Sequence, residues 1–220
     1  CTIPEIRGRY RSRTISSVRR EAETLVQLGV KELILIAQDT TRFGEDRKGT
    51  PQLAELLREL AEIPDLHWLR WMYGYPTRIT PELIRVMAKT PKICAYVDLP
   101  LQHIDQDVLA RMNRPADPQQ TRRVIADLRA AIPDLALRTS FIVGFPGETE
   151  AAFSRLLEFM EEIRFDRVGA FTYSPEAGTR AAKWPESVPE EIKTERYERL
   201  MACQQRISQQ KNQAWLGRTV

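Results

Sequence analysis

Four side chains with acid–base chemistry follow apolar segments of the sequence. Asp39 and Asp98 each come directly after such a segment, His103 follows Asp98 by five residues, and Glu148 follows a fourth apolar run. Imidazole and carboxylate groups are the usual pair in general acid–base catalysis. A lone histidine also serves as a hydrogen-bonding support, and aspartates at such positions also cap loops and helices. Both interpretations stay open, and no catalytic residue is assigned.

A turn with two glycines is the second candidate for ligand binding. Gly144 and Gly147 separate an apolar run from a helical pattern. Because glycine has no side chain, main-chain amides at such a turn can approach a bound group closely. The same pair of glycines also suits a tight connection from strand to helix.

Cysteine and arginine residues could hold a metal or an anion. The three cysteines are too scattered for a disulfide scaffold or a zinc knuckle. Cys94 and Cys203 fall in apolar patterns and are interpreted as small core residues, whereas Cys1 belongs to no apolar pattern. Every second residue from Arg7 to Arg13 is arginine. Such a run is typical of a solvated face, and it also suits an anionic ligand or a macromolecular substrate.

Five apolar runs rich in β-branched residues predict the strands that would position these side chains. They are Glu32–Gln38, Leu66–Tyr73, Lys92–Leu99, Leu135–Gly144 and Asp166–Tyr173. Helical spacing of apolar residues lies between them, which predicts an α/β fold with a parallel sheet. In such folds the ligand site lies at the carboxyl ends of the strands.

Prolines preceded by capping residues predict helix starts at Thr50-Pro51, Thr80-Pro81 and Asp117-Pro118. Val188-Pro189 opens the last helix, whose apolar face is expected to hold Ile192, Arg196, Leu200, Cys203 and Ile207. The element order begins with a helix where a closed βα system would begin with a strand. One strand is therefore expected to be absent from the front.

Composition excludes several classes of protein. The 220 residues are 42% hydrophobic, which excludes disorder and favours one globular domain. No apolar run reaches the roughly 18 residues that span a bilayer, and no signal peptide opens the chain, so a cytoplasmic protein without a membrane partner is expected. The formal charge of +3 permits a nucleic-acid partner without requiring one.

Blocks of residues along nearly the whole chain resemble the radical S-adenosylmethionine methylthiotransferases. The stretch after that family's cluster motif is similar to Cys1–Gly8, Ser12-Arg13, Glu21-Ala22 and Gly29–Glu32, and both branches of the family are similar to Met112–Pro115 and Arg138–Thr149. Ile36–Thr41 and Pro100–His103 resemble the branch that modifies a ribosomal protein. The transfer RNA branch usually has Gly-Gln-Asn and Pro-Val-Gln-Ser at these two places.

The resemblance implies a partial (β/α)6 TIM-like barrel whose first strand precedes Cys1. Cys1 matches the last cysteine of a C-x-x-x-C-x-x-C motif, whose three thiolates hold a 4Fe-4S cluster and leave one iron for S-adenosylmethionine. Reductive cleavage then yields a 5'-deoxyadenosyl radical that abstracts hydrogen. In the ribosomal branch, a methylthio group is placed on the β-carbon of an aspartate of a small-subunit ribosomal protein.

The resemblance also implies roles for residues at the strand ends. Gln38 matches the contact to the methionine amino group, and Gln102 is the candidate for its carboxylate. Val143 and Gly144 match the motif that backs the adenine.

Four further residues are candidates for contacts. Arg138 is a candidate for the carboxylate side of the cofactor, and Tyr173 for a contact from the last strand. Asp39 and His103 are possible substrate contacts.

The family pattern extends beyond these residues at both ends. Residues 1–212 are expected to form a radical SAM core that starts at the third cluster cysteine, and 213–220 to open a TRAM-like β-barrel module. The family's second 4Fe-4S cluster, the sulfur source, belongs to an N-terminal domain that is absent here. One motif thiolate cannot hold a cubane cluster, so the chain alone is expected to be inactive.

Three alternatives remain. A transfer RNA adenosine methylthiotransferase is favoured by the arginine run and the positive charge, and disfavoured by the two branch-specific blocks. A cluster-free barrel hydrolase or lyase would use Asp98, His103 and Glu148. A non-catalytic fragment would bind a ribosomal protein only. The sequence does not identify the electron donor.

Overall fold

A computed structural model describes residues 2–114 and 116–217. Its strands are β1 (Glu32–Leu35), β2 (Trp68–Trp71), β3 (Tyr96–Asp98), β4 (Ala136–Val143) and β5 (Arg167–Thr172). The five predicted strands are confirmed, each shorter than its apolar run. Apolar runs continue into the strand-end loops, where the ladder hydrogen bonds stop.

The helices of this part of the chain alternate with the strands, as predicted. They are α1 (Ile3–Arg7), α2 (Ile15–Gln27), α3 (Glu45–Lys48), α4 (Leu53–Ala61), α5 (Pro81–Lys89), α6 (Gln106–Arg111), α7 (Pro118–Ala131), α8 (Glu150–Ile163) and α9 (Glu190–Gln213). Over the described ranges, no helix combines the length and the apolar character needed to cross a membrane.

Two of the three predicted capping pairs start a helix. The Thr80 side chain accepts a hydrogen bond from the Leu83 N–H at 3.1 Å, and α5 begins at Pro81. Asp117 likewise accepts from the Gln119 N–H, ahead of α7. The prediction at Thr50-Pro51 is wrong.

A contact distant in sequence explains the late start of α4 after Thr50-Pro51. The Gln52 N–H donates to the Phe43 carbonyl at 2.6 Å, which ties Gln52 to the preceding loop. The Gln52 carbonyl then accepts from the Leu56 N–H, so the helix begins after Gln52 and not at Pro51.

The described chain divides into two compact units. The N-terminal unit comprises residues 3–99 and 123–135. In it β1 and β2 run parallel, in a register that places Glu32 opposite Trp68. Alternation along β2 buries Leu69 and Trp71 and leaves Trp68 exposed. Leu57 of α4 is completely buried in the same unit.

Among the described residues, the C-terminal unit comprises residue 2 and residues 100–122 and 136–217. In it β4 and β5 run parallel, with Arg138 opposite Arg167. Its core contains fully buried aromatic rings: Phe165 meets the ring of Phe141 at 5.8 Å and that of Phe159 at 5.7 Å between centroids. The helices α8 and α9 contact each other in this unit.

The predicted buried face of α9 is confirmed in its main part. Arg196, Leu200, Cys203 and Ile207 are buried, whereas Ile192 is half-buried. Cys203 is thus the core residue that the pattern predicts.

The interpretation of Cys94 as a strand core residue is wrong. Cys94 is half-buried, and the Tyr96 N–H donates to its carbonyl in a tight turn at 2.7 Å. That turn interrupts the predicted strand, so only Ile93 pairs before β3 begins.

Candidate functional site

Gln38 and Asp39 follow β1 in the N-terminal unit. The Gln38 side chain is exposed, and no hydrogen bond ties its amide to another described residue. The Asp39 carboxylate accepts a hydrogen bond from the Thr41 hydroxyl and lies 3.7 Å from an Arg78 guanidinium nitrogen. The Asp39 main-chain carbonyl accepts from the Tyr10 hydroxyl at 3.1 Å. Gln38 is therefore open to a ligand, whereas the Asp39 carboxylate has protein partners.

A strained tyrosine follows β2. Tyr73 adopts a left-handed φ of 62°, a conformation that is unfavourable for a bulky side chain. Its N–H donates to the Asp98 carboxylate at 3.0 Å and its carbonyl accepts from the Thr40 N–H at 3.0 Å. The ring remains 41% exposed. Backbone strain of this kind concentrates at functional sites, and the sequence pattern did not single out Tyr73.

Asp98 is completely buried in the N-terminal unit. One carboxylate oxygen accepts from the Tyr73 N–H, and the Asp98 carbonyl accepts from the Gly74 N–H at 2.9 Å. Of the two roles open to this aspartate, the loop-supporting one matches these contacts.

Gln102 occupies a comparable strained position in the C-terminal unit. Its φ is 69°, its N–H donates to the Ser140 carbonyl, and its own carbonyl accepts from the Ile142 N–H, both at 2.8 Å. These bonds to β4 hold the left-handed backbone in place. The half-buried side-chain amide has no hydrogen bond to another described residue. A polar group left without a partner there suits a ligand.

The Gly144 turn follows the buried Val143 at the end of β4. Gly144 has a φ of 71°, which favours glycine, and its N–H donates to the Glu148 carboxylate at 2.8 Å. The Phe145 N–H points at the same oxygen, at 3.4 Å. These two N–H groups therefore bind a carboxylate of the protein itself. The peptide surface of the turn is left to contact a ligand.

Glu148 forms a buried ion pair. A guanidinium nitrogen of Arg196 lies 3.0 Å from one carboxylate oxygen and donates to the Glu148 carbonyl at 3.1 Å. Burial raises the pKa of Glu148, and the Arg196 charge opposes that rise. Residues 148 and 196 are far apart in sequence, and the apolar pattern of α9 predicts only that Arg196 lies on the buried face of the helix.

His103 lies beside this pair and is 1% exposed. Its Nδ1 accepts from the Asp105 N–H at 2.9 Å, and its Nε2 is 3.8 Å from a Glu148 carboxylate oxygen. Burial lowers the pKa of His103 from 6.5 to about 4, so the imidazole is neutral at neutral pH. His103 and Glu148 do converge, as an acid–base pair would, but both side chains are enclosed, which disfavours a hydrolase that needs them in contact with water.

Arg138 and Tyr173 lie in the C-terminal unit as well. Arg138 is half-buried on β4. The Tyr173 N–H donates to the Val143 carbonyl at 2.8 Å, and its ring contacts that of Phe145 at 5.0 Å between centroids. The Tyr173 hydroxyl is buried without a hydrogen-bond partner among the described residues, and burial raises its pKa.

The predicted metal ligand Cys1 lies outside the described residues. Across residues 2–114 and 116–217, no group of three or more His, Cys, Asp and Glu side chains is placed to hold a metal ion. Of the arginine run, Arg13 binds Glu21, whereas Arg7, Arg9 and Arg11 are exposed.

Comparison with known families gives one match over most of the chain. Residues 1–160 match the radical SAM superfamily. A curated relative from Heliobacterium modesticaldum, named ribosomal protein uS12 methylthiotransferase RimO, is 55% identical over 220 residues, which is 100% of this chain and 48% of the relative. A relative of the same name from Synechocystis sp. is 53% identical over the same length and 49% of its own. The chain thus spans about half the length of these relatives.

Solved structures support the fold. Coproporphyrinogen III oxidase HemN from Escherichia coli, a radical SAM enzyme, superposes with a TM-score of 0.65 at 17% identity, covering 87% of this chain and 45% of that one. The radical S-adenosylmethionine methyltransferase TsrM from Kitasatospora setae gives a TM-score of 0.57 at 17% identity, covering 73% and 31%. The predicted α/β fold of this superfamily is confirmed.

Proposed function

Because the chain belongs to the radical SAM superfamily, we propose that it forms the core of an enzyme that adds a methylthio group to the β-carbon of an aspartate of ribosomal protein uS12. The observation that carries the proposal is the 55% identity over all 220 residues to a relative with that named activity. A ribosomal substrate would also place the reaction in the cytoplasm.

Membership of the superfamily implies a 4Fe-4S cluster and S-adenosylmethionine. When bound, they supply the radical that removes hydrogen from an unactivated carbon. Within the N-terminal unit the Gln38 amide follows a strand and has no hydrogen bond to another described residue, and the same holds for the Gln102 amide within the C-terminal unit. Following the resemblance, we assign the methionine amino group to Gln38 and the carboxylate to Gln102.

The remaining assignments follow from the resemblance. The peptide surface of Val143 and Gly144 would back the adenine. Arg138 would lie on the carboxylate side of the cofactor, and Tyr173 would contact it from the last strand. The rigid main-chain bonds around these positions suit a site that must hold a reactive group still.

Asp39, which is half-buried in the N-terminal unit, stays the candidate for a substrate contact. His103 is enclosed, so we give it a supporting role within the C-terminal unit.

Cys1 would be one of three cluster thiolates. We propose that a second 4Fe-4S cluster, outside these 220 residues, is the sulfur source. We also propose that residues 1–212 form the radical SAM core and that residues 213–220 begin a TRAM-like module. The electron donor is unassigned.

The test is anaerobic turnover by the natural full-length protein, reconstituted with iron and sulfide and supplied with S-adenosylmethionine and ribosomal protein uS12. Mass spectrometry of the digested substrate should show one methylthio group on an aspartate. A methylthioadenosine signal from transfer RNA in its place would favour the RNA branch, and aerobic activity without a cluster would favour a hydrolase. Residues 1–220 alone, with one motif thiolate, should retain no stoichiometric 4Fe-4S cluster.

A further inference from the structure

The first turns of α9 carry two buried charges. Lys193 and Arg196 are each 5% exposed, whereas Arg199, one turn further along, keeps 40% of its side-chain surface. Burial of a charge is unfavourable unless the group is paired and hydrogen-bonded. The Lys193 and Arg196 side chains, buried on the same short stretch of helix, must therefore have specific partners.

Arg196 is linked to the Gly144 turn through one carboxylate. Glu148 accepts from the Gly144 N–H at 2.8 Å on one oxygen and from Arg196 at 3.0 Å on the other. Arg196 also donates to the Glu148 carbonyl at 3.1 Å, and it lies 3.4 Å from the Glu150 carboxylate. Glu148 thus joins the turn after β4 to a helix more than forty residues away in the chain.

The Lys193 side chain lies against Gly144 of the same turn. A Cβ atom placed on Gly144 would overlap the Lys193 side chain at its Cγ atom. The Lys193 ammonium group pairs with Glu190 at 3.0 Å and lies 5.7 Å from the centre of the Tyr173 ring. The methylene stem of Lys193 therefore occupies the volume that a side chain at position 144 would take.

We propose that Arg196 and Lys193 are positioning residues, which hold the Gly144 turn in the form that receives the adenine of S-adenosylmethionine. The inference rests on the proposed function for the identity of the ligand. Arg196 keeps the Glu148 carboxylate on the two turn amides, and the Lys193 stem fills the volume beside Gly144 and so restricts the movement of the turn. Loss of either contact frees the turn before any ligand binds.

The decisive substitution is Arg196→Met, which removes the guanidinium and keeps an unbranched stem. The Glu148 carboxylate is then buried without its cation, and it no longer holds the two amides. Because hydrogen bonds to a charged group are the stronger kind, we expect about a ten- to hundredfold weaker Kd for S-adenosylmethionine. Arg196→Lys should restore part of the affinity. Arg199→Met is the matched control, since Arg199 pairs with Glu150 at the surface of the same helix.

Two measurements on the natural full-length protein test the proposal. Anaerobic calorimetry of the reconstituted protein gives the Kd for S-adenosylmethionine. Hydrogen exchange of the cluster-free protein, read at the amides of Gly144 and Phe145, needs neither cofactor nor activity. We expect exchange at these two amides to rise at least tenfold in Arg196→Met and to stay unchanged in Arg199→Met.

A second substitution covers the case in which Arg196→Met fails to fold. Lys193→Ala removes the stem beside Gly144, and should raise exchange at the same amides more than Lys193→Met, which keeps the stem. Uniform loss of protection throughout the C-terminal unit, or unchanged exchange at Gly144 with an unchanged Kd, would overturn the positioning role. Failure of the unsubstituted protein to bind S-adenosylmethionine would refute the proposed function, whereas local exchange would still report on the turn.

Discussion

Burial of His103 should make the stability of this protein depend on pH between 7 and 5. The folded state holds the imidazole neutral, with a pKa of about 4 against 6.5 for an exposed histidine. Arg155 and Arg196 add to this lowering, and Asp105 opposes it. Since the folded pKa is depressed, the unfolded chain binds more protons in this range, and stability falls as the pH falls.

The magnitude follows from the two pKa values. At pH 5 the unfolded histidine is almost fully protonated, whereas the folded one is about nine-tenths neutral, so the loss between pH 7 and pH 5 is about 2 kcal/mol. The full shift, reached below pH 4, is worth about 3 kcal/mol.

Chemical denaturation at pH 7 and pH 5 measures this loss. The comparison is His103→Asn, whose side-chain oxygen can still accept from the Asp105 N–H but does not titrate in this range. The variant should lose about 2 kcal/mol less than the unsubstituted chain on acidification. His67→Asn is the matched control, because His67 is exposed and is the only other histidine. Equal losses in the unsubstituted chain and His103→Asn would refute the assignment of a neutral buried imidazole.

Three further substitutions, two of them with a matched control, test the fold. Thr80→Ala removes the side-chain cap of α5 and should lower the free energy of unfolding, measured by urea titration, by about 1 kcal/mol. Thr50 caps no helix, so the control Thr50→Ala should change the same free energy by less than about 0.5 kcal/mol. Leu57→Ala should cost about 2–5 kcal/mol by calorimetry, since the side chain is completely buried, and a cost below about 1 kcal/mol would contradict its place in the core. Gly144→Ala should lower the thermal midpoint more than Gly29→Ala, because both have positive φ but only the first meets a neighbouring side chain.

Local patterns predicted the elements of this chain well. The strands follow runs of β-branched residues, and Thr80 caps its helix through a bond three residues away. Such signals act between residues a few positions apart, so the sequence alone is enough to detect them. The prediction at Thr50 failed because a bond from Gln52 to Phe43 competed with the local cap. Cys94 was misplaced because a tight turn at Tyr96 interrupts the strand pattern.

The positions of some candidate residues were predictable, and their roles stay predictions. Gln38 lies in the loop after β1 and Gln102 in the loop after β3, as the strand pattern predicts. The strained backbone at Tyr73 could not be predicted from local sequence, because the left-handed tyrosine depends on hydrogen bonds with Asp98 and Thr40, which are distant in the chain.

The sequence by itself determined the order of helices and strands, the family to which the chain belongs, and the polar residues that follow each strand. Only the tertiary structure decided which of those residues are exposed and which are buried in the core. Glu148 illustrates the reason: its pKa and its partners are set by burial and by Arg196, 48 residues away. Electrostatic energy depends on distance and on solvent exposure, and folding fixes both quantities.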